Sequence, residues 1–331
     1  MKKIRIAQIG MNEYSHSTQI FGSIAKQTDL FDVAGYVLPE NERERLPQKL
    51  DVLKGYPELT LEEVLSDPSI EAVTVETDEV NLTKYATLAA KAGKHIHMEK
   101  PGGAVLEEFE TLIGIMRQTG KVFHTGYMYR YNPFVIELMQ KIKNGELGDI
   151  ISVEAQMNCI HPAALREWLR GLPGGMMFYL GCHLVDLVLQ IRGTPERILP
   201  FCKSSGIDGV VSEDFCMALF EYENSVSFVK TTACEIGGYD RRQLVVTGTK
   251  GMVEIKPFEI ITGHTEISCA KTEYTSTSWR DRGVHTQAEP FDRYDAMIRA
   301  FAAYVAGEKE NPYTLSYELE LYRTLLRCCG K

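Results

Sequence analysis

The first third of the chain alternates short apolar runs with amphipathic stretches. Ile4 to Ile9 is strand-like and opens into a polar turn, a helical pattern runs from about Ser17 to Thr28, and a second apolar run covers Asp32 to Leu38. Leu61 to Leu65 predicts a short helix closed by the breaker Asp67-Pro68. Ala72 to Thr77 predicts a third strand, Leu82 to Ala92 a helix ending at Gly93, and His95 to Met98 a fourth strand. Leu106 to Gln118 predicts another helix, ending at Gly120, and Val122 to Tyr127 a fifth strand. Strands alternating with helices at this spacing give βαβ units and a parallel, doubly wound sheet. Such sheets bind ligands at the carboxyl ends of their strands.

The texture changes near residue 125. A helix is expected from Pro133 to Asn144, and longer alternating runs follow: ISVEAQMN, DFCMALFEYE, SVSFVKTTACE, RQLVVTGT and GMVEIKP. Runs of this kind joined by short turns predict a mostly antiparallel sheet. One helix interrupts them near Gly181 to Ile191, and helices around Tyr294–Ala306 and Tyr317–Cys328 close the chain. The expected organisation is a nucleotide-type α/β domain over residues 1–125 and an α+β substrate and oligomerisation domain over residues 126–331. The closing helices are free to pack back on the first domain.

Composition narrows the function classes. The 331 residues carry 36 Lys and Arg against 45 Asp and Glu, a net charge of −9 with both signs interspersed. Nucleic-acid binding needs a basic face, so no nucleic-acid partner is expected. No run reaches the roughly 18 apolar residues of a membrane span, and MKKIRIAQIG reads as a buried strand rather than a signal peptide. The eight cysteines are scattered without a C-x-x-C pair, which predicts free thiols in a reducing cytoplasm, the terminal Cys328-Cys329 included.

The first strand ends in Gly10-Met11-Asn12-Glu13-Tyr14-Ser15. A dinucleotide fingerprint needs a Gly for the tight turn, a second for approach of the pyrophosphate, and a small residue where helix meets strand. Gly10 meets the first demand, while Asn12 and Ser15 occupy the other two positions. The second strand ends at Leu38 rather than an acid for the adenosine ribose, with Glu40 two residues on. Taken alone, an ordinary β-turn-α is the better reading of this loop. The segment AGKHIHMEKPGG, residues 92–103, is more specific, because Glu99-Lys100-Pro101 places an acid and an amine at the sheet's carboxyl edge. Pro101 fixes the backbone after the lysine, which suits an amine that gives and takes a proton.

The order and separation of these segments resemble the Gfo/Idh/MocA family of oxidoreductases. The resemblance runs through AGKHIHMEKP, Arg130-Tyr131-Asn132-Pro133, Gly145-Glu146-Leu147-Gly148, Trp168, Gly174-Gly175, Gly181-Cys182-His183-Leu184-Val185-Asp186 and Val246-Thr247-Gly248-Thr249-Lys250-Gly251. It implies a Rossmann domain, an open antiparallel sheet domain that builds oligomer interfaces, and a nicotinamide cofactor, NAD or NADP. By resemblance the cofactor lies against Gly10, Met11, Asn12, Thr77, Asp78, Glu99, Lys100, Pro101 and Arg130. His183 falls on the family's catalytic histidine, opposite Lys100 across a cleft. Tyr179, His183 and Asp186 sit at i, i+4 and i+7, which puts them on one face if the helix extends back to Tyr179. Arg166 and Trp168 lie in a region of substrate contacts, where Trp168 either stacks on a sugar face or packs in the core.

Three departures from the family pattern bear on function. Tyr179 stands where dehydrogenases of the family carry Asp, and a phenol donates a hydrogen bond but supplies no charge near neutral pH. The third strand ends in Thr77-Asp78-Glu79 instead of Thr-Pro-Asn, and Leu82 replaces a histidine. Acids beside a pyrophosphate repel it unless they face a ribose hydroxyl or a cation. His95 and His97 share a strand face and lack a third ligand, so packing rather than metal binding is expected, and Arg241-Arg242 read as surface or interface charges rather than anion ligands. The leading expectation is an NAD(P)-dependent oxidoreductase acting on a carbinol of a sugar, polyol or related small molecule. In it Lys100 and His183 handle the proton and Tyr179 orients the oxygen. A redox-assisted glycosidase or lyase with tightly held NAD, and a ligand-sensing homologue that has lost chemistry, are the alternatives. An open apolar sheet face predicts a symmetric dimer or tetramer.

Overall fold

The computed structural model describes residues 2–280 and 282–331, and these form two compact units. One runs to Met128 and takes in Tyr294–Tyr322; the other comprises Tyr129–Arg293 and Arg323–Lys331.

In the first unit, five parallel strands among the described residues stand in the order β2-β1-β3-β4-β5. They are β1 (Ile4–Ile9), β2 (Phe31–Val37), β3 (Ala72–Val75), β4 (His95–Met98) and β5 (Phe123–Thr125). All four residues of β3 are buried, as its central place demands, and their unbroken apolar and β-branched character is what a strand covered on both faces needs. The chain leaves β1 for β2 on one side and reaches β3 on the other, so the crevice at the carboxyl ends of β1 and β3 is the topological switch point. Register aligns Ile9 with Val75 and Val75 with Met98, and the ladder continues through the Glu76 and Glu99 amides, which donate to Ile9 and Val75. Residues 10, 76 and 99 therefore emerge side by side.

Local chemistry fixes the helices. Thr60 and Glu63 form a reciprocal capping box at the start of Leu61–Ser66. Gly120, left-handed at φ 64°, ends Leu106–Thr119. Ser17–Lys26 and Leu82–Lys91 fall where the apolar period placed them. The stretch after β2, which has no clear period, folds into a short helix, Glu42–Arg45, and a 3₁₀ segment, Pro47–Leu53.

The second unit carries a mixed, mostly antiparallel sheet. Its eight strands among the described residues stand in the order β15-β14-β11-β10-β6-β9-β8-β7. They are β6 (Ile150–Asn158), β7 (Arg197–Lys203), β8 (Phe215–Tyr222), β9 (Ser225–Thr232), β10 (Gln243–Gly248), β11 (Met252–Ile255), β14 (Ala270–Tyr274) and β15 (Val284–Gln287). Only β6 and β9 pair in parallel among them. The apolar alternation did not reveal β7: Pro200 interrupts it, which is tolerated because β7 is an edge strand. A three-stranded sheet of β12 (Ile260–Ile261), β13 (Glu266–Ser268) and β16 (Phe291–Asp292) completes the unit. No helix of the described residues is long and apolar enough to cross a membrane.

Candidate functional site

At the switch point Gly10 takes φ +91°, and a Cβ there would lie 2.6 Å from the Thr77 Cβ. Only glycine fits this turn. The loop that follows differs from a glycine-rich one in how it is held. The Met11 amide donates to the Glu42 carboxylate (2.9 Å), and the Asn12 amide donates to Ser17 Oγ (3.2 Å). The Glu42 carboxylate also accepts from Thr77 Oγ1 (2.6 Å). An acid does therefore stand beside the Gly10 turn, supplied from four residues beyond Leu38 rather than from the strand end. Lys49 reaches the same loop, donating to the Asn12 carbonyl at 2.6 Å. Neither Glu42 nor Lys49 was identifiable from the sequence, because both come from the aperiodic stretch after β2.

The acids of residues 78 and 79 do not confront a phosphate as bare charges. Asp78 pairs with Arg45 at 2.7 Å, and Glu79 accepts from the Asn12 amide group at 2.8 Å. Burial raises Glu79 above the usual carboxylate range, against the pull of Lys100 and the Asn12 hydrogen bond. Beside it, burial lifts Glu99 to about 7, against the attraction of Lys100, whose Nζ lies 3.8 Å from Glu99 Oε1. Glu99 and Lys100 are 3% and 4% exposed, so the pair is far from an ordinary surface ion pair. A cis peptide joins Lys100 to Pro101.

Behind this edge lies a buried acid–imidazole group. Glu76 is fully buried, and burial together with neighbouring Glu99 raises its carboxyl well above the usual range. Its Oε1 stands 3.8 Å from His97 Nε2, and His97 Nδ1 meets His124 Nδ1 at 2.7 Å. Burial depresses His97 to about 3, so the imidazole that faces Glu76 is neutral. His95 accepts from the Val122 amide (3.0 Å), and no group of three or more His, Cys, Asp or Glu side chains that could hold a metal occurs among the described residues.

Glu42 gives this acid cluster a measurable signature. Burial raises it to about 7, only partly countered by the bonds from Thr77 and Met11. Its folded-state pKa exceeds the unfolded value, so its contribution to stability is complete below the unfolded pKa and is lost as pH rises through 7. Glu42→Gln is expected to remove about 1 kcal/mol of the stability loss between pH 6 and 8. Urea melts of both proteins at the two pH values measure it; parallel pH dependences would refute the assignment.

The residues present fit a dinucleotide. A Cβ at Gly10 would collide with Thr77, so only glycine lets the loop pass this close to the end of β3, and Lys49 brings positive charge to the loop. Glu79 Oε1 and Glu99 Oε1 are buried without a hydrogen-bond partner among the described residues, which suits acceptance from ribose hydroxyls.

In the second unit the helix Cys182–Arg192 is extended backwards by a π-helical turn, Met177–Gly181. Single π turns recur at functional sites because they re-aim side chains without ending the helix. Tyr179 therefore lies on the helical segment that leads into the helix of His183. Tyr179 meets the Trp168 ring edge-on at 5.3 Å and the His161 ring at 6.2 Å. His183, 2% exposed, meets Tyr129 edge-on at 4.9 Å. Trp168 remains half-buried, with surface left for a ligand.

The structure gives partners to Arg130 and Arg166, and the reading of Arg242 requires correction. Arg130, expected at the cofactor, donates from Nε and Nη2 to both oxygens of Asp186, at 2.9 and 2.8 Å, with both side chains buried. Arg166, expected at the substrate, donates to the carbonyls of His161 and Ile207 and pairs with Asp208, because it pins the segment bearing His161 to the 207–208 turn. Arg242 is buried rather than a surface charge, and its Nη1 bonds Glu259 at 2.8 Å. Burial pushes Glu259 up, but Arg293 and Arg242 outweigh it and hold the carboxylate ionised. Tyr129, packed against His183, also receives a bond from Arg293 (3.4 Å), so this charge network supports the His183 side.

Residues 4–127 match the family described as oxidoreductase family, NAD-binding Rossmann fold, and residues 135–254 match the GFO/IDH/MocA C-terminal domain. The chain is 26% identical over 204 residues to the scyllo-inositol 2-dehydrogenase (NADP(+)) of Bacillus subtilis, covering 60% of this chain and 55% of that protein. It is 27% identical over 214 residues to the trans-1,2-dihydrobenzene-1,2-diol dehydrogenase of Bos taurus, covering 63% and 61%. The match spans little more than half the length of these curated relatives. Among solved structures, an aldose-aldose oxidoreductase from Caulobacter crescentus complexed with glycerol superposes with a TM-score of 0.78 at 18% identity, covering 99% and 98% of the two chains. At that identity the likeness is one of fold.

Proposed function

The chain belongs to the Gfo/Idh/MocA oxidoreductase family, and from that premise we propose that it is an NAD(P)-dependent oxidoreductase of a secondary carbinol. The observation that carries the reading is the buried Glu99–Lys100 pair at the carboxyl end of β4, beside the switch point of an NAD-binding type of sheet. When bound, the nicotinamide supplies the hydride acceptor or donor. The protein's own groups supply the rest. The Gly10 turn and Lys49 hold the pyrophosphate, while Glu79 and Glu99 accept from ribose hydroxyls. Lys100 Nζ takes the hydroxyl proton of the carbinol, and Glu99, 3.8 Å away and poised near 7, exchanges a proton with the amine. In the second unit His183, held edge-on by Tyr129, shares the handling of that one proton with Lys100, and Tyr179 donates from its phenol to orient the oxygen.

The substrate class follows from the same reading. Both curated relatives are named for ring compounds with neighbouring hydroxyls. A half-buried Trp168 beside Tyr179 suits the apolar face of such a ring. We therefore assign a cyclic polyol or sugar as substrate, and a homo-oligomer as the working form. Native mass spectrometry of the purified protein tests cofactor and assembly together. A retained dinucleotide on a dimer or tetramer is expected; a bare monomer that calorimetry shows to bind neither NAD nor NADP would refute the proposal.

A further inference from the structure

Five of the eight cysteines carry contacts at one end of the second unit. Cys202 on β7 and Cys216 on β8 are direct cross-strand partners in an antiparallel pair, and Cys202 Sγ lies 3.8 Å from the Cys328 carbonyl. Cys329 packs against Gly174 so closely that a Cβ on that glycine would lie 2.4 Å from the Cys329 Cβ. Cys182 donates to the Tyr179 carbonyl, and Cys216 Sγ lies 3.5 Å from the carbonyls of Gly174 and Glu213. Directly opposed residues of an antiparallel pair have Cα atoms about 4.5–5.5 Å apart. That separation falls within the roughly 4.4–6.8 Å that a disulfide spans.

We infer that Cys202 and Cys216 form a two-thiol redox site, oxidised to a cross-strand disulfide by a small peroxide and returned by a dithiol. The two sulfurs are unequal in the way such a site requires. Cys202 is half-buried on an edge strand, open to a small oxidant, while Cys216 is fully buried one strand inward. The Cys216 thiol is turned to the Gly174 and Glu213 carbonyls; the closeness of Cys202, with burial, raises its proton affinity, while the closeness of Cys216 lowers that of Cys202. Cys202 is thus the thiolate that attacks and Cys216 the thiol that resolves.

The chemistry balances without a further reactant. The Cys202 thiolate attacks one oxygen of hydrogen peroxide and the O–O bond breaks. The sulfur becomes a sulfenic acid, and the departing hydroxide takes the proton Cys202 had released, forming water. Cys216 sulfur then attacks Cys202 sulfur, the S–S bond forms, and the S–O bond breaks. The leaving hydroxide takes the Cys216 proton, giving a second water. Two thiols lose two electrons and two protons, and the peroxide is reduced to two waters. Disulfides in a reducing compartment are characteristically transient or sensing ones, which suits a pair on an exposed edge.

The test exposes the reduced, folded full-length chain to one equivalent of hydrogen peroxide, alkylates the remaining thiols in denaturant, and maps the peptides. The expected product is a single Cys202–Cys216 cross-link, with the other cysteines alkylated and the link removed by dithiothreitol. Cys216→Ser is expected to trap Cys202 as a sulfenic acid that labels with dimedone. Should that buried substitution unfold the chain, Cys202→Ser at the half-buried edge position serves instead, and is expected to abolish the rapid phase of peroxide consumption. Full alkylation of every thiol, a link from Cys202 to Cys328 or Cys329, or unchanged peroxide consumption by Cys202→Ser would overturn the inference.

Discussion

Replacing Lys100 by Met lowers turnover of a cyclic polyol by about 10²–10⁴-fold, the range that a positioned proton-transfer group contributes, and leaves the fold intact. Met keeps the unbranched stem of the lysine, so the buried space at the end of β4 stays filled. What disappears is the amine, and with it the group that takes the carbinol proton and exchanges it with Glu99 at 3.8 Å. Removing the amine beside Glu99, Glu79 and Glu76 also leaves those carboxyls closer to fully protonated, because Lys100 helps oppose burial at each of them. The loss should fall mainly on kcat, with a smaller loss of dinucleotide affinity through Glu79 and Glu99. Steady-state kinetics beside a thermal melt separates the two; a variant that melts normally and turns over normally excludes Lys100 from the chemistry.

The second large effect is on stability. Asp186→Ala is expected to destabilise the protein by about 3–5 kcal/mol, the usual consequence of leaving one member of a buried ion pair alone. The Asp186 carboxylate accepts two bonds from Arg130 and one from Gln190, and the Arg130 and Asp186 side chains are 0% and 2% exposed. Its removal strands a guanidinium where water does not reach. The pair ties the segment after β5 to the helix that bears His183, so the same variant should also lose activity beyond its loss of folded protein. Replacing both residues by apolar ones of similar volume should recover most of the stability, since desolvation of the two charges disappears together. Urea denaturation of the single and double variants measures this; a single variant within 1 kcal/mol of the parent (roughly the scatter of surface substitutions) would show the pair to be dispensable.

The features that sequence made legible are those with a local physical cause. The parallel sheet was readable because buried strands carry unbroken apolar runs and amphipathic helices separate them at regular spacing. Gly10 and Glu99-Lys100-Pro101 were readable because a strand end is itself a position in the fold, facing the ligand edge. Glu42 and Lys49 were not, since they lie in a stretch without period and reach the loop only through its folded path. The same is true of partners that meet across strands: Glu76 just past β3, His97 on β4 and His124 on β5 each read alone as an ordinary residue. The Arg130–Asp186 pair was not readable, since the two residues lie 56 apart and nothing local joins them. Arg242 looked like a surface charge because no local signal reveals Glu259 beneath it. β7 was missed through Pro200, and with it the opposition of Cys202 to Cys216, which register alone creates.

The most direct measurement uses a cyclic polyol deuterated at the carbinol carbon, incubated with the enzyme and NAD or NADP while absorbance and isotope are followed together. A dehydrogenase built on Lys100 yields one reduced nicotinamide, carrying the deuterium, for each carbinol oxidised. Substrate consumed without net reduction of the cofactor would contradict it and indicate a redox-assisted lyase or glycosidase. Dinucleotide bound with every polyol left untouched would contradict it in the other direction, in favour of a ligand-sensing protein.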